Sequence, residues 1–333
     1  MPEKKQYFNE INIMRGMAVL CVVIGHSFDA TDTPSVLGFL KSFVYCFHMP
    51  AFFFISGFLL KDQKMDWKEK TLKIRAKAKR LMIPYLFLTL VTIGLKAVFG
   101  VFAKNPLNYS TLLVDILIGR NNPNGGLWFL YALFIISIVG ILFNELDKRI
   151  LFLGAFCMYL VNSFVLHWSG YILSFFLDYA WYFFAGCLIR KYCFDKVRQL
   201  NFLYTTTGKI LTMAVTCVYI MIAFVRIYVS NVWILKFTVT VMGVLLLFVI
   251  AVQVNSLNKG KNGWMLIGEY GMDIYMIGYY VQQGIYVILG KILGIDYLIY
   301  AWCMCILGLV GSILISKYIV RKNKIFSLLI LGR

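Results

Sequence analysis

Residues 210–225 and 239–252 contain no charged side chain and present apolar groups on every side. A helix of that kind has no face to give to water, so it belongs in lipid or deep inside a large protein. An outer-membrane barrel strand would alternate apolar and polar residues, and these runs do not. The rest of the chain is built alike: 61% of its 333 residues are hydrophobic and 14% are charged. That is roughly 200 apolar residues, enough for about ten helices at about 20 residues each. The expectation is an all-α polytopic membrane protein, and an ordinary soluble domain is excluded.

Ten apolar segments can be marked, at about 12–30, 36–60, 82–103, 125–143, 150–166, 171–189, 210–227, 233–254, 266–290 and 297–320. They leave no room for a second domain, so residues 1–333 read as one transmembrane domain. With a cytoplasmic N-terminus, the inner connections carry 24 Lys and Arg and the outer ones 3. The positive-inside rule then places both termini in the cytoplasm. This asymmetry accounts for the net charge of +18 better than a nucleic-acid partner would. Glu3, Glu10 and Arg15 interrupt the N-terminal pattern, and no small-residue cleavage site follows, so no removable signal peptide is expected. The eight cysteines show no metal spacing and read as small buried hydrophobes.

Two connections stand out. Lys61–Arg80 sets nine cations among Trp67, Leu72, Ile74 and Leu81, as an interfacial helix on anionic lipid would, although a phosphorylated cytoplasmic ligand would suit it too. The outer connection 104–126 contains Asn105-Pro106 and the run Asn121 to Gly126, which is turn chemistry around a short apolar helix.

Polar residues inside the spans carry the functional argument. Arg15 and His26 are 11 residues apart. On a helix that spacing returns within about 20° of the same face, about 16 Å further along. The two therefore line one stripe, with Ser27 beside His26; Asp29, one turn beyond, would suit either orienting the imidazole or a place at the outer surface. His48 lies near the middle of the second span beside Pro50, which cannot donate to the Cys46 carbonyl and should kink the helix. A wet or occupied cavity and a kinked packing helix both fit that pattern. His167, next to Trp168, reads as an interfacial anchor. Glu269 and Asp273, at i and i+4, should share one helix face and balance Arg15 or loop cations. Asp178 should pair with a cation or hydroxyl. Trp128, in Leu127-Trp-Phe-Leu130, fits an aromatic belt or a wall for stacking sugars.

No nucleotide loop, zinc-helix motif or serine-hydrolase elbow occurs, which argues against hydrolysis through serine or metal. The Arg15-to-His26 spacing, the run Phe47-His-Met-Pro-Ala-Phe-Phe-Phe-Ile-Ser-Gly57 and Leu127–Leu130 together resemble the acyltransferase 3 family of integral membrane O-acyltransferases. The likeness extends over all ten segments and leans toward the stand-alone branch similar to fucose 4-O-acetylase.

The resemblance implies an acetyl group taken from cytoplasmic acetyl-CoA and delivered to a hydroxyl of a cell-surface glycan or its lipid-linked precursor, in a bacterial cytoplasmic (inner) membrane. It implies that His26 carries the transfer, as base or acyl carrier, and that Arg15 contacts the coenzyme; it leaves His48 as a second catalytic candidate. The expected partners are acetyl-CoA, the acceptor and membrane lipid, with no metal and no nucleic acid. One departure is Gly278, which stands where many members of the family have a histidine. Another is that no fused extracytoplasmic domain is expected, since the sequence stops 13 residues after its last apolar segment. A transporter of an acylated sugar or carboxylate would also use a kinked helix and buried histidines. No inverted repeat relates residues 1–165 to 166–333, and the two histidines set within apolar spans, His26 and His48, both lie in the first half, which favours the enzyme.

Overall fold

In a computed structural model all regular secondary structure is helical among the described residues, which are 8–28, 36–100, 108, 110–119, 122–229, 232–257 and 260–333. In chain order the helices are α1 (Asn9–Ser27), α2 (Val36–Tyr45), α3 (His48–Phe58), α4 (Trp67–Phe99), α5 (Leu112–Leu117), α6 (Trp128–Leu142), α7 (Lys148–Val161), α8 (Ile172–Tyr192), α9 (Phe194–Gln199) and α10 (Thr206–Phe224). Then come α11 (Trp233–Asn255), α12 (Lys261–Glu269), α13 (Gly271–Ile285), α14 (Tyr297–Ile315) and α15 (Lys324–Leu331).

Eight helices among the described residues are long and apolar enough to cross a membrane, so the chain is an all-α polytopic membrane protein. They match eight of the ten expected segments. The other two are also helical but differ from a simple span. Trp128–Leu142 has 15 residues, about 22 Å at 1.5 Å per residue and shorter than the roughly 30 Å hydrocarbon core. The segment 266–290 is broken at Tyr270, whose φ of −89° and ψ of 7° end α12 and begin α13.

The chain packs as two compact units. Unit 1 holds residues 1–55, 194–286 and 295–313, and unit 2 holds 56–193, 287–294 and 314–333.

Unit 1 is built around α1, which packs against α2, α11, α12 and α13. Its crossing with α12 is a backbone contact. A Cβ on Gly16 would lie 2.5 Å from the Trp264 carbonyl oxygen, and one on Gly268 would overlap the Asn12 carbonyl. The Asn12 side chain donates to the Met265 carbonyl at 2.8 Å across the same contact. Buried Glu10 accepts from Arg198 Nε at 3.1 Å, tying the start of α1 to α9.

In unit 2, the basic stretch from Trp67 onward and the third span are one uninterrupted helix. Residues 61–66 are not helical, and Asp66 caps α4 by accepting from the Glu69 N–H at 2.7 Å. The 33 residues of α4 reach about 50 Å, well beyond the hydrocarbon core. The cations of 68–80 therefore extend the span rather than forming a separate surface helix. The preceding loop is held by Asp62, which accepts from Lys148 Nζ at 3.0 Å and Lys191 Nζ at 2.8 Å. Asn144 Nδ2 donates to the Lys61 and Gln63 carbonyls at 3.0 and 2.7 Å. The last carbonyls of α3, Phe58 and Leu60 beyond it, receive Arg190 Nη1 at 3.0 and 3.2 Å, so the orphan acceptors of a helix C-terminus meet a guanidinium.

The connection after α4 forms the expected short helix, α5. Asn122 accepts from the Asn124 N–H at 2.9 Å and Asn124 from the Gly126 N–H at 3.1 Å, the turn chemistry read in the sequence. Asn122 Nδ2 also donates to Thr89 Oγ1 at 2.9 Å, which ties the turn to α4. His167 is exposed and closes a π-helical turn at φ 53°, while Asp178 accepts from the Asn162 amide at 2.8 Å. Of the cysteines, 46, 187 and 305 are buried, whereas 157 and 217 lie exposed on lipid-length helices, so the buried reading holds for only part of the set.

Candidate active site

The candidate residues of unit 1 fall at two levels of α1. Helix α1 is continuous from Asn9 to Ser27, so Arg15 and His26 share its stripe.

At the lower level, the close approach of Gly16 to α12 brings the Tyr270 break beside Arg15. The aliphatic part of the Arg15 side chain lies over Gly271, where a Cβ would be 3.0 Å from Arg15 Cδ. Asp273 is fully buried in the first turn of α13, where the helix dipole favours a carboxylate. Glu269 is exposed at the end of α12. The expectation that Glu269 and Asp273 share one helix face therefore fails. The break at Tyr270 puts them on different helices, and a four-residue spacing places two groups on one face only while the helix is continuous.

At the upper level, Gly25 leaves room for the ring of Tyr45 from α2. A Cβ on Gly25 would lie 2.6 Å from Tyr45 Cε2. The Tyr45 ring stands edge-on to His26, with centroids 6.3 Å apart, and edge-on to His48 at 5.0 Å. Tyr279 of α13 meets His26 from another side at 6.4 Å. Two histidines 22 residues apart in sequence are thus joined through one tyrosine. Lys41, one turn before Tyr45 on α2, is within electrostatic range of His26.

The two imidazoles are held differently. His48 is buried, and its Nδ1 is 2.7 Å from the Val44 carbonyl oxygen. A carbonyl only accepts, so Nδ1 carries the hydrogen, and in the neutral ring Nε2 is left as the acceptor. No described residue hydrogen-bonds the His26 ring, which meets Tyr45 and Tyr279 edge-on.

Pro50 acts differently from the expected mid-span kink. The chain leaves the helical path at Cys46 and Phe47, and Pro50 falls in the first turn of α3, where a missing N–H removes no intrahelical bond. The break lets the Val44 carbonyl receive His48.

Ser27 is buried, donates to the Val23 carbonyl at 2.8 Å and accepts from Gln282 Nε2 at 2.8 Å. Gln282 also donates to the Val23 carbonyl at 2.9 Å. One amide of α13 thereby fixes the last turn of α1, which carries His26. At Gly278, a Cβ would make ordinary contacts of 3.4 Å with Ser312 Oγ and 3.5 Å with the Gly308 carbonyl oxygen. This glycine faces α14, and it is Tyr279, the next residue, that meets His26.

Lys41, Tyr45, Tyr279 and Gln282 were not singled out in the sequence. A lysine and an amide inside apolar segments are signals that could have found two of them. The tyrosines carry none, because a membrane chain is rich in aromatics. Trp128 belongs to unit 2, where it packs against Phe175 at 4.4 Å and Tyr179 at 5.3 Å between ring centroids. Asp29 lies outside the described residues. Among those residues, no three of His, Cys, Asp and Glu cluster as metal ligands would.

A family model described as an acyltransferase domain, of the acyltransferase 3 type, matches residues 8–317. No curated protein matches the chain, and no solved structure does.

Proposed function

Since the chain belongs to the acyltransferase 3 family of membrane acyltransferases, we propose that it is a membrane O-acetyltransferase. It takes acetyl from cytoplasmic acetyl-CoA and delivers it to a hydroxyl of a cell-surface glycan or its lipid-linked precursor, as an enzyme similar to fucose 4-O-acetylase would. In this reading residues 1–333 work as a single domain of ten spans in a bacterial cytoplasmic membrane, with both termini inside.

The observation that carries the reading is the contrast within the upper cluster. His26 has ring nitrogens that no described residue engages, and it shares an α1 face with Arg15 about 16 Å away. Arg15 holds the coenzyme's phosphates through its planar fork, and the pantetheine arm runs up the stripe to His26. As the acceptor oxygen attacks the thioester carbonyl, His26 takes the hydroxyl proton. The new C–O bond forms, the C–S bond breaks, and the coenzyme thiolate receives that proton. Alternatively, the imidazole first accepts the acetyl group and then passes it on. His48, coupled through Tyr45, is the second catalytic candidate, and Ser27 supports His26 through its bond with Gln282.

The test measures thiol release and acetyl-CoA binding on purified protein in nanodiscs, with and without candidate glycans. His26→Ala should bind acetyl-CoA nearly as wild type and lose turnover by about 10²- to 10⁴-fold. Arg15→Ala should bind the donor about tenfold or more weakly, with only partial recovery in Arg15→Lys. Near wild-type transfer by His26→Ala, or unchanged donor binding by Arg15→Ala, refutes the division of roles. Acceptor flux without acylation would instead support a transporter.

A further inference from the structure

Two buried donor atoms of unit 1, one on half-buried Arg226 and one on buried Tyr219, have no role in the chemistry above. Arg226 lies in the π-helical turn Val225–Val229 that continues α10. Its Nη1 is 3.4 Å from Cys46 Sγ, a thiol that itself donates to the Ser42 carbonyl at 3.2 Å. Sulfur is a weak acceptor for a guanidinium. The Nε of the same group is buried without a hydrogen-bond partner, and none of the described ion pairs involves it.

Tyr219 lies seven residues earlier, two turns along the same face of that helix. It is 3% exposed, and its hydroxyl is also buried without a partner. It interacts electrostatically with both Cys46 and Arg226. A charged N–H donor beside the thiol and a neutral O–H donor on the same helix thus lie within electrostatic range of each other. An unsatisfied buried donor costs about 1–3 kcal/mol, and more when it is charged. Within a span no bulk water offsets that cost, and such groups mark ligand paths.

The ligand that satisfies both donors is an oxyanion. A guanidinium fork takes two oxygens of a phosphate or carboxylate, and a phenol donates to an oxygen of the same group. The place is adjacent to the chemistry, because Cys46 follows Tyr45, whose ring stands between His26 and His48. Lys41 adds a second positive charge within electrostatic range of His26.

We propose that Arg226 and Tyr219 form an oxyanion subsite beside the His26–Tyr45–His48 cluster, and that the acylated molecule carries a phosphate or carboxylate there. Only the identity of the ligand as the acceptor rests on the acyl-transfer reading. The subsite itself rests on the two donors.

The test is binding to the full chain in phosphatidylcholine nanodiscs, with glucose 1-phosphate as the probe and glucose as its neutral control. Wild type should prefer the phosphate. Arg226→Gln should weaken its binding about tenfold or more, Arg226→Lys less, and Tyr219→Phe about threefold. In phosphatidylglycerol discs, a lipid headgroup that fills the subsite would suppress probe binding. It would also raise the melting temperature of wild type above that of Arg226→Gln, and this outcome supports the subsite with lipid as the source. The proposal is overturned if wild type shows neither a preference for the phosphate nor a phosphatidylglycerol effect, a result that needs no variant to fold. It is equally overturned if Tyr219→Phe and the Arg226 variants all bind as wild type does. The acyl-transfer reading fails separately, through absent thiol release from wild type, and that failure leaves these binding results standing.

Discussion

Replacing Gln282 by methionine keeps the length of the side chain and removes the two hydrogen bonds that hold the last turn of α1. The bonds lost run from Nε2 to the Val23 carbonyl at 2.9 Å and to Ser27 Oγ at 2.8 Å. No buried group is orphaned, because Ser27 Oγ still donates to the Val23 carbonyl. Interhelical hydrogen bonds in membranes average about 0.6 kcal/mol each, so the stability cost should be about 1–2 kcal/mol, a few degrees of melting temperature at most. The effect on rate should be larger, since a displacement of about 1 Å at a reacting group can cost about 10²-fold. Gln282→Glu should be worse than Gln282→Met at neutral pH, because an ionised acceptor would face the Val23 carbonyl. The assay pairs acetyl-CoA-dependent thiol release with donor affinity. Turnover should fall at least about tenfold while donor affinity stays unchanged, since Arg15 is three turns away. Wild-type turnover in Gln282→Met, or a Glu variant better than the Met variant, would refute the idea that this amide positions His26.

Other outcomes follow from the packing. Gly268→Ala should abolish folding or force α12 away from α1, because its Cβ would meet the Asn12 backbone carbonyl rather than a movable side chain; detergent-stable, monodisperse protein with wild-type melting would contradict this. Burial pushes the Asp62 carboxyl up, but hydrogen bonds from Lys191 and Lys148 outweigh it and hold it below the usual carboxylate range. A depressed folded value stabilises above the unfolded value of about 4. The melting advantage of wild type over Asp62→Asn should thus be present at pH 6 and disappear as pH falls through the folded value, and an advantage that grows on acidification would reverse the sign. For topology, Asn108→Cys and Asn201→Cys, both exposed positions, should be respectively reactive and unreactive toward an impermeant maleimide on intact cells, in an otherwise cysteine-free chain; equal labelling would count against the ten-span arrangement.

How legible this protein is from its sequence depends on the range of the forces involved. The membrane class was readable because apolarity on every side of a helix is a local property that no tertiary contact reverses. The Arg15-to-His26 stripe was readable for the same reason: a regular helix converts spacing into direction, and α1 runs unbroken through both residues. The family resemblance rested on that spacing and on the Phe47–Gly57 run, and the family match over residues 8–317 agrees with it.

Where the helix is interrupted, the same reasoning loses its footing. The break at Tyr270 separates Glu269 from Asp273, and the break at Cys46 and Phe47 moves Pro50 from mid-span to a first turn, where its missing N–H has little consequence. Nothing in the local sequence announces either break strongly, because in an apolar segment most residues favour continuation. The partners of His26 lay further out of reach. Tyr45 fits beside it because Gly25 leaves room for its ring, and Tyr279 and the Gln282 amide reach this end of α1 from α13. By itself the sequence determined the solvent of this protein and the direction in which its candidate groups point along α1. Only the tertiary structure decided which side chains surround His26, because that depends on contacts between residues up to about 250 positions apart, whose packing no local period encodes.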